Sequence, residues 1–355
     1  MLRNVYSSLE THAPSWIKDL VSVETRIKLG AWIKGSKPHA QPYDPDLLAR
    51  LLVDAGYDPN AFLQLPVSLP AGHTIGSLTA EIEKFKIRNS PDIRSDNLND
   101  EEYDGLCQSY LSLHLKRYLY TLELLPKNTA GKLLEIGPSP YQFSLLVDKY
   151  TKYEASYVDY FDFLPSDTGT AQMVSDDGEV INFPFHNLNI ETDELPLKDG
   201  SFDCVALCEV IEHLTDDPLG VVLKLKRLLK PGGLFVLTTP NVASLSHTNN
   251  LLHGQNIYHA YSGFGIYDRH NREYTPRELV KLLEHAGFEV EQVKTSNITA
   301  TNAADFAHWS AQAGALQSRI TDLGDFSFIS AVNSGPAKSK KPRWLYDNLP
   351  ESELE

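Results

Sequence analysis

Cysteine is scarce. The 355-residue chain has three, Cys107, Cys204 and Cys208, and none forms a C-x-x-C pair. That argues against a disulfide framework and leaves reduced core thiols in a cytoplasmic protein as the expectation. Long apolar runs are missing too. No stretch has the uninterrupted length of a membrane span. The N-terminus lacks a basic region followed by an apolar block and a small-residue cleavage site, so no secretory signal is expected. The segment "SWIKDLVSVETRIKLGAWIKG" (15–35) is only weakly amphipathic, and packing against the rest of the protein is its expected role. Positive charge is in deficit, with 32 Lys and Arg against 47 Asp and Glu and a net charge of −15. Nonspecific nucleic-acid binding needs clustered Lys and Arg, so a nucleic-acid partner is not expected.

What is present divides into three parts. Residues 1–105 carry helical patterns broken by proline-rich connections. "DPDLLARLLVDAG", for example, has Asp44 as a cap, Pro45 at the first helical position and Gly56 at its end. We read this part as an accessory helical domain. From residue 106 to 335 strands alternate with helices. The expected strands are "KLLEIG" (132–137), "EASYVD" (154–159), "FHNLNI" (185–190), "FDCVALCE" (202–209), "LFVLTTPN" (234–241), one within "FEVEQV", and "FSFISAVN" (326–333). Alternation of this kind predicts an α/β fold, a doubly wound, mostly parallel, seven-stranded Rossmann-like sheet with an N-terminal helical extension. Residues 336–355 read as a polar, solvated tail.

Ligands in doubly wound sheets bind beyond the carboxyl ends of the strands. "EIGPSPYQ", "VDYFD", "LCEVIEHL" and "TTPN" all lie at such ends. In the first, Gly137 allows close backbone approach, but Ser139 and Gln142 stand where a G-x-G-x-x-G fingerprint has its second and third glycines. Pro138 and Pro140 also remove two backbone N–H groups that a phosphate cradle would use. A nicotinamide oxidoreductase is therefore disfavoured, and a cofactor without phosphates fits better. Asp159 closes the second strand, where a carboxylate can accept both ribose hydroxyls. A surface acid at a strand end is the plainer alternative.

Together these segments resemble class I S-adenosylmethionine-dependent methyltransferases, over about residues 130 to 335. The resemblance rests on Glu135-Ile136-Gly137, on Asp159, on "NLNIETDELPLKDGSFDCV", on "LKPGGLFVLTTPN" and on "REYTPRELVKLLEHAGF". It implies S-adenosylmethionine as cofactor, with Glu135 and Gly137 in the first cofactor loop, Asp159 on the ribose, and Asn189 and Ile190 on the adenine.

"LCEVIEHL" (207–214) gathers Glu209, Glu212 and His213 in one turn. Positions i, i+3 and i+4 can converge on one side. Three readings stay open. His213 is a general base oriented by Glu212 or Glu209. Alternatively, two carboxylates and one imidazole hold Mg, Mn or Zn. In the third reading the cluster is structural. The metal reading is strengthened by a resemblance to the Glu-x-x-Glu-His of metal-assisted O-methyltransferases, including quinone-biosynthesis and small-RNA 3′-end families, which implies His270 of "RHNREYT" as a further ligand. The connection 242–275 is long, rich in His and Tyr, and has Gly263 and Gly265 as hinge candidates around Phe264. It suits a hydroxylated ring or sugar. The expected function is an S-adenosylmethionine-dependent O-methyltransferase acting on a small-molecule or glycan acceptor. The alternatives are a catalytically silent cofactor-binding or protein-interaction module and a metal-dependent RNA 3′-end methyltransferase.

Overall fold

Five short runs of apolar and β-branched residues pair in parallel and set the frame. They are β2 (Gly131–Ile136), β3 (Tyr153–Asp159), β5 (Val180–Asn187), β6 (Phe202–Cys208) and β7 (Leu229–Pro240). Side chains alternate across each strand and both faces are covered. Leu133 and Cys204 face one core with helices α1 (Ile75–Glu83), α2 (Asp100–Leu124) and α3 (Gln142–Tyr150). Leu134, Ile136, Val205 and Leu207 face the other core with α4 (Pro218–Leu228) and α6 (Pro276–His285). A computed structural model of the chain describes residues 67–88, 90, 99–262, 265–298, 319 and 322–355.

The sheet has nine strands in the order β1-β4-β5-β3-β2-β6-β7-β9-β8. All seven expected strands form, although the third runs Val180–Asn187 rather than 185–190. The strands unforeseen in the sequence are β1 (Phe85–Ile87) and β4 (Thr168–Ser175). β4 pairs antiparallel with both β1 and β5, while β9 (Phe326–Asn333) and β8 (Phe288–Ser296) add antiparallel pairs at the opposite edge. The sheet is thus mixed, with a parallel centre and antiparallel flanks, rather than mostly parallel. The missed hairpin has a local cause. "SDDGEV" turns the chain at Gly178, whose φ of 92° favours glycine, and so pairs Val174 with Val180.

Two expected boundaries fall differently. Helix α2 spans the expected border at residue 105, capped by Asn99 in a capping box with Glu102. Residues 75–87 belong to the same sheet and core through α1 and β1. The "DPDLLARLLVDAG" helix and the rest of residues 1–66 lie outside the described residues. At the other end, residues 336–355 are not a solvated tail. Trp344, Leu345 and Tyr346 pack against the core under α4 and α6. A polar average over twenty residues hid three consecutive large apolar side chains. The Tyr346 hydroxyl donates to Asp217 and accepts from Leu219 N at 2.9 Å. Asp217 caps α4 and also pairs with Lys341 at 2.9 Å.

If the tail is docked in this way, Tyr346→Phe should lower the unfolding free energy by about 1–2 kcal/mol. A denaturant midpoint equal to wild type would show that the segment does not contribute to the fold.

Candidate functional site

The parallel centre ends in one rim, and the expected residues gather there. Gly137 follows β2 with φ 67°, and a Cβ at this position would fall 2.7 Å from Val210 Cγ2. Glycine is required on both counts. Its N–H donates to Val158 O at 2.9 Å, so β2 and β3 end together. The loop then passes Pro138 and Pro140 to Tyr141, which is fully buried with φ 65°. The Tyr141 hydroxyl donates to Asp159 Oδ2 at 3.2 Å, and Tyr160 N donates to Asp159 Oδ1 at 3.0 Å. Burial pushes the Asp159 carboxyl up to about 7, against the pull of these hydrogen bonds. Glu135 is buried one residue before the end of β2 and accepts from Ser144 Oγ at 2.8 Å. Desolvation raises its carboxyl to about 8.

Two adjoining cavities meet at Gly137 and Glu209. One, of about 610 Å³ and open to solvent, is bounded by Asp159, Leu188, Asn189, Ile190, His213 and Tyr267, among others. The expected ribose and adenine residues therefore share one crevice. Asn189 Oδ1 accepts from Glu191 N at 2.9 Å, so its carbonyl closes the local turn. The second cavity, of about 450 Å³, is bounded by Glu135, Pro138, Tyr118 and Arg117.

Arg117 was not foreseen. It sits on α2 at 5% exposure, with Nη1 2.9 Å from Glu209 Oε2 and Nη2 donating to Tyr110 at 2.9 Å. Its Nε is buried without a hydrogen-bond partner. The sequence signal was a lone arginine inside the apolar run "LHLKRYLYTL". Glu209 also accepts from Thr238 Oγ1 at 2.8 Å, and its backbone has φ 56°. That corrects one expectation. The Glu209 carboxylate is committed to Arg117 and Thr238, and it is not among the donor groups that converge with His213.

Glu212, His213 and His270 do converge, with potential ligand atoms all within 4.8 Å of one another. Glu212 is wholly buried; Oε2 accepts from Thr239 at 2.8 Å, while Oε1 has no hydrogen-bond partner. Its carboxyl is raised by burial. His213 Nε2 lies 4.0 Å from Glu212 Oε1. His213 Nδ1 lies 3.1 Å from Arg269 O, and since a carbonyl can only accept, Nδ1 carries the proton. Burial and then the adjacent His270 hold the His213 imidazole below its ordinary pKa. Of the hinge candidates, Gly263 lies outside the described residues, as does Phe264 between them.

Residues 108–293, more than half of the chain, match the family model described as "Methyltransferase domain". The chain belongs to that family. Among known proteins it is similar to a "Probable S-adenosylmethionine-dependent methyltransferase" of Mycolicibacterium smegmatis, 40% identical over 98 residues, covering 28% of this chain and 33% of that protein. It is also similar to a "Ubiquinone biosynthesis O-methyltransferase" of Dinoroseobacter shibae, 38% identical over 88 residues, covering 25% and 34%. The chain thus matches about a third of the length of these relatives. Among solved structures, a methyltransferase from Thermotoga maritima aligns at 20% identity and a TM-score of 0.41, covering 66% of this chain and 97% of that one. Among the described residues no helix is long and apolar enough to cross a membrane.

The Glu135 carboxyl moves from an ordinary 4.5 to about 8 on folding. The folded chain therefore holds a proton that the unfolded chain loses, and this group's contribution to stability falls as pH rises from about 4.5 toward 8. Glu135→Gln removes the slope. Its urea midpoint should gain on wild type across that window and level off above it. An equal offset at both ends of the window would show that Glu135 ionises freely.

Proposed function

We propose that the chain transfers a methyl group from S-adenosylmethionine to an oxygen of a hydroxylated small molecule or glycan, with His213 as the base. The observation that carries the base role is the His213 Nδ1–H bond to the Arg269 carbonyl at 3.1 Å, which leaves Nε2 with its lone pair. A pKa held low by burial keeps that imidazole neutral at pH 7 and able to take a proton.

The residues present fit the cofactor. Asp159 offers a carboxylate to both ribose hydroxyls. Leu188 and Ile190 supply an apolar wall for the adenine beside Asn189. The buried, unpartnered Nε of Arg117 suits the carboxylate of the amino-acid end in the adjoining cavity. Glu135, locked by Ser144, shapes the strand end beneath it. When bound, S-adenosylmethionine supplies a methyl group on a sulfonium that departs as a neutral thioether. The chain's own task is alignment, proton removal and exclusion of water. His213 Nε2 takes the acceptor's hydroxyl proton, and the Glu212 carboxylate stabilises the imidazolium that results. Tyr267 and Tyr160, packed edge to face at 5.8 Å, and the exposed rings of Tyr258 and Tyr261 suit the face of a hydroxylated ring or sugar.

A second reading has a specific observation behind it. The unpartnered buried Oε1 of Glu212, with His213 and His270 in reach, would hold Mg, Mn or Zn, and the cation would lower the pKa of the acceptor hydroxyl. The net charge of −15 disfavours an RNA acceptor.

A methyl-transfer screen of catechols, sugars and RNA 3′ ends, with and without chelator, separates these readings. His213→Ala should lower turnover at least ~100-fold while leaving cofactor affinity unchanged. Full turnover in that variant would remove His213 from the mechanism. Turnover lost on chelation and restored by Mg, Mn or Zn would replace the base reading with the metal one.

A further inference from the structure

We propose that Glu273, with His259 and His270, forms a cation site of the zinc type that ties together the connection between β7 and α6. Three imidazoles converge on this one carboxylate. His270 Nδ1 lies 2.7 Å from Glu273 Oε1, and His259 Nε2 lies 3.2 Å from the same oxygen. His247 Nδ1 lies 3.6 Å from Oε2, and 3.3 Å from the carbonyl of Val242. The potential ligand atoms of His259, His270 and Glu273 all fall within 4.8 Å of one another. The His259 and His270 rings stack at 3.9 Å, which brings their nitrogens to the same side of the carboxylate.

Hydrogen bonding alone does not account for the cluster. The Glu273 side chain is only 8% exposed, and its Oε2 is buried with no hydrogen-bond partner. A buried carboxylate oxygen left in that state is costly, whereas a shared cation would satisfy it. One carboxylate can neutralise one imidazolium, so three imidazoles around it are in excess unless His259 and His270 act as neutral ligands. Two imidazole nitrogens and one carboxylate oxygen, with water to complete the set, suit zinc, or cobalt in its place, and are a poor set for calcium or magnesium. The cation would displace the proton shared between His270 Nδ1 and Glu273, so its binding releases protons and weakens as pH falls.

The three ligands and the neighbouring His247 come from different parts of this segment. His247 is on α5 (Leu245–Leu252), His259 and His270 are in the connection, and Glu273 precedes the capping box of α6. One ion would bind these points into a single wall beside Tyr267, which lines the crevice. Glu212 and His213 take no part; His270 alone is shared with the metal reading of the reaction, and the test of this site does not use activity.

The full chain, stripped of metal with a chelator and dialysed, is titrated with Co²⁺ and then with Zn²⁺. The expected result is one equivalent of Co²⁺ with the visible absorption of a low-symmetry, tetrahedral-like site, displaced by Zn²⁺, and a zinc-dependent rise in melting temperature. His259→Ala and Glu273→Gln should each weaken binding more than tenfold and abolish that rise. His259 is 47% exposed, so its loss should leave the metal-free melting temperature unchanged, which keeps the test valid if the Glu273 variant folds poorly. His213→Ala should bind as wild type does. No binding at one equivalent would overturn the proposal. So would equal affinity in all variants, or loss in His213→Ala with retention in His259→Ala.

Discussion

The arrangement of the rim depends on the buried pair between Arg117 and Glu209. β6 leaves the sheet at Glu209, where the backbone turns into the left-handed region at φ 56°. A non-glycine residue adopts that conformation only when its surroundings enforce it. Arg117 at 2.9 Å and Thr238 at 2.8 Å hold the carboxylate. The turn places Val210 against Gly137 and leads into the short 3₁₀ turn Ile211–His213. It also anchors α2, which enters from the N-terminal side, to the strand exit. Removing one partner of such a pair typically costs about 3–5 kcal/mol, because the other charge stays buried. The pair is therefore better understood as fixing position than as adding stability.

The rim as a whole is expensive. Glu135, Asp159 and Glu212 are acids whose carboxyls are all pushed upward by burial. Glu212 and Glu273 each keep a buried oxygen without a hydrogen-bond partner, as does Arg117 with its Nε. The helices other than α3, by contrast, are conventionally capped, and both cores are apolar. Ser327 and Ser330 of β9 carry unpartnered oxygens too, but at the rim the unsatisfied atoms belong to ionisable groups, which marks a surface shaped for ligands rather than for stability.

Much of this was legible in the sequence because it is local. The parallel strands are apolar runs that end on Gly137, Asp159 and Glu209, and Asp217-Pro218 and Thr275-Pro276 announce their helices. β4 was missed because its alternation lies between two loops, and the Asp177-Gly178 turn is its only signal. The remaining errors concern partners distant in the chain. Glu209, Glu212 and His213 share one turn, and spacing alone suggests that they act together. Which way Glu209 faces is decided by Arg117, ninety-odd residues earlier. In the same way, no spacing rule brings His259 and Glu273 around His270; the path of the connection does. Trp344–Tyr346 look like part of a polar tail until the apolar surface of α4 and α6 is in view.

The central claim is that the crevice beside Gly137 seats S-adenosylmethionine. Isothermal calorimetry on the wild type and on Gly137→Val, with circular dichroism to verify the fold, tests it most directly. The account predicts one-to-one binding to the wild type and none to the variant, whose added side chain would fill the space against Val210. Absence of binding to the wild type, or equal binding to both proteins, would contradict it.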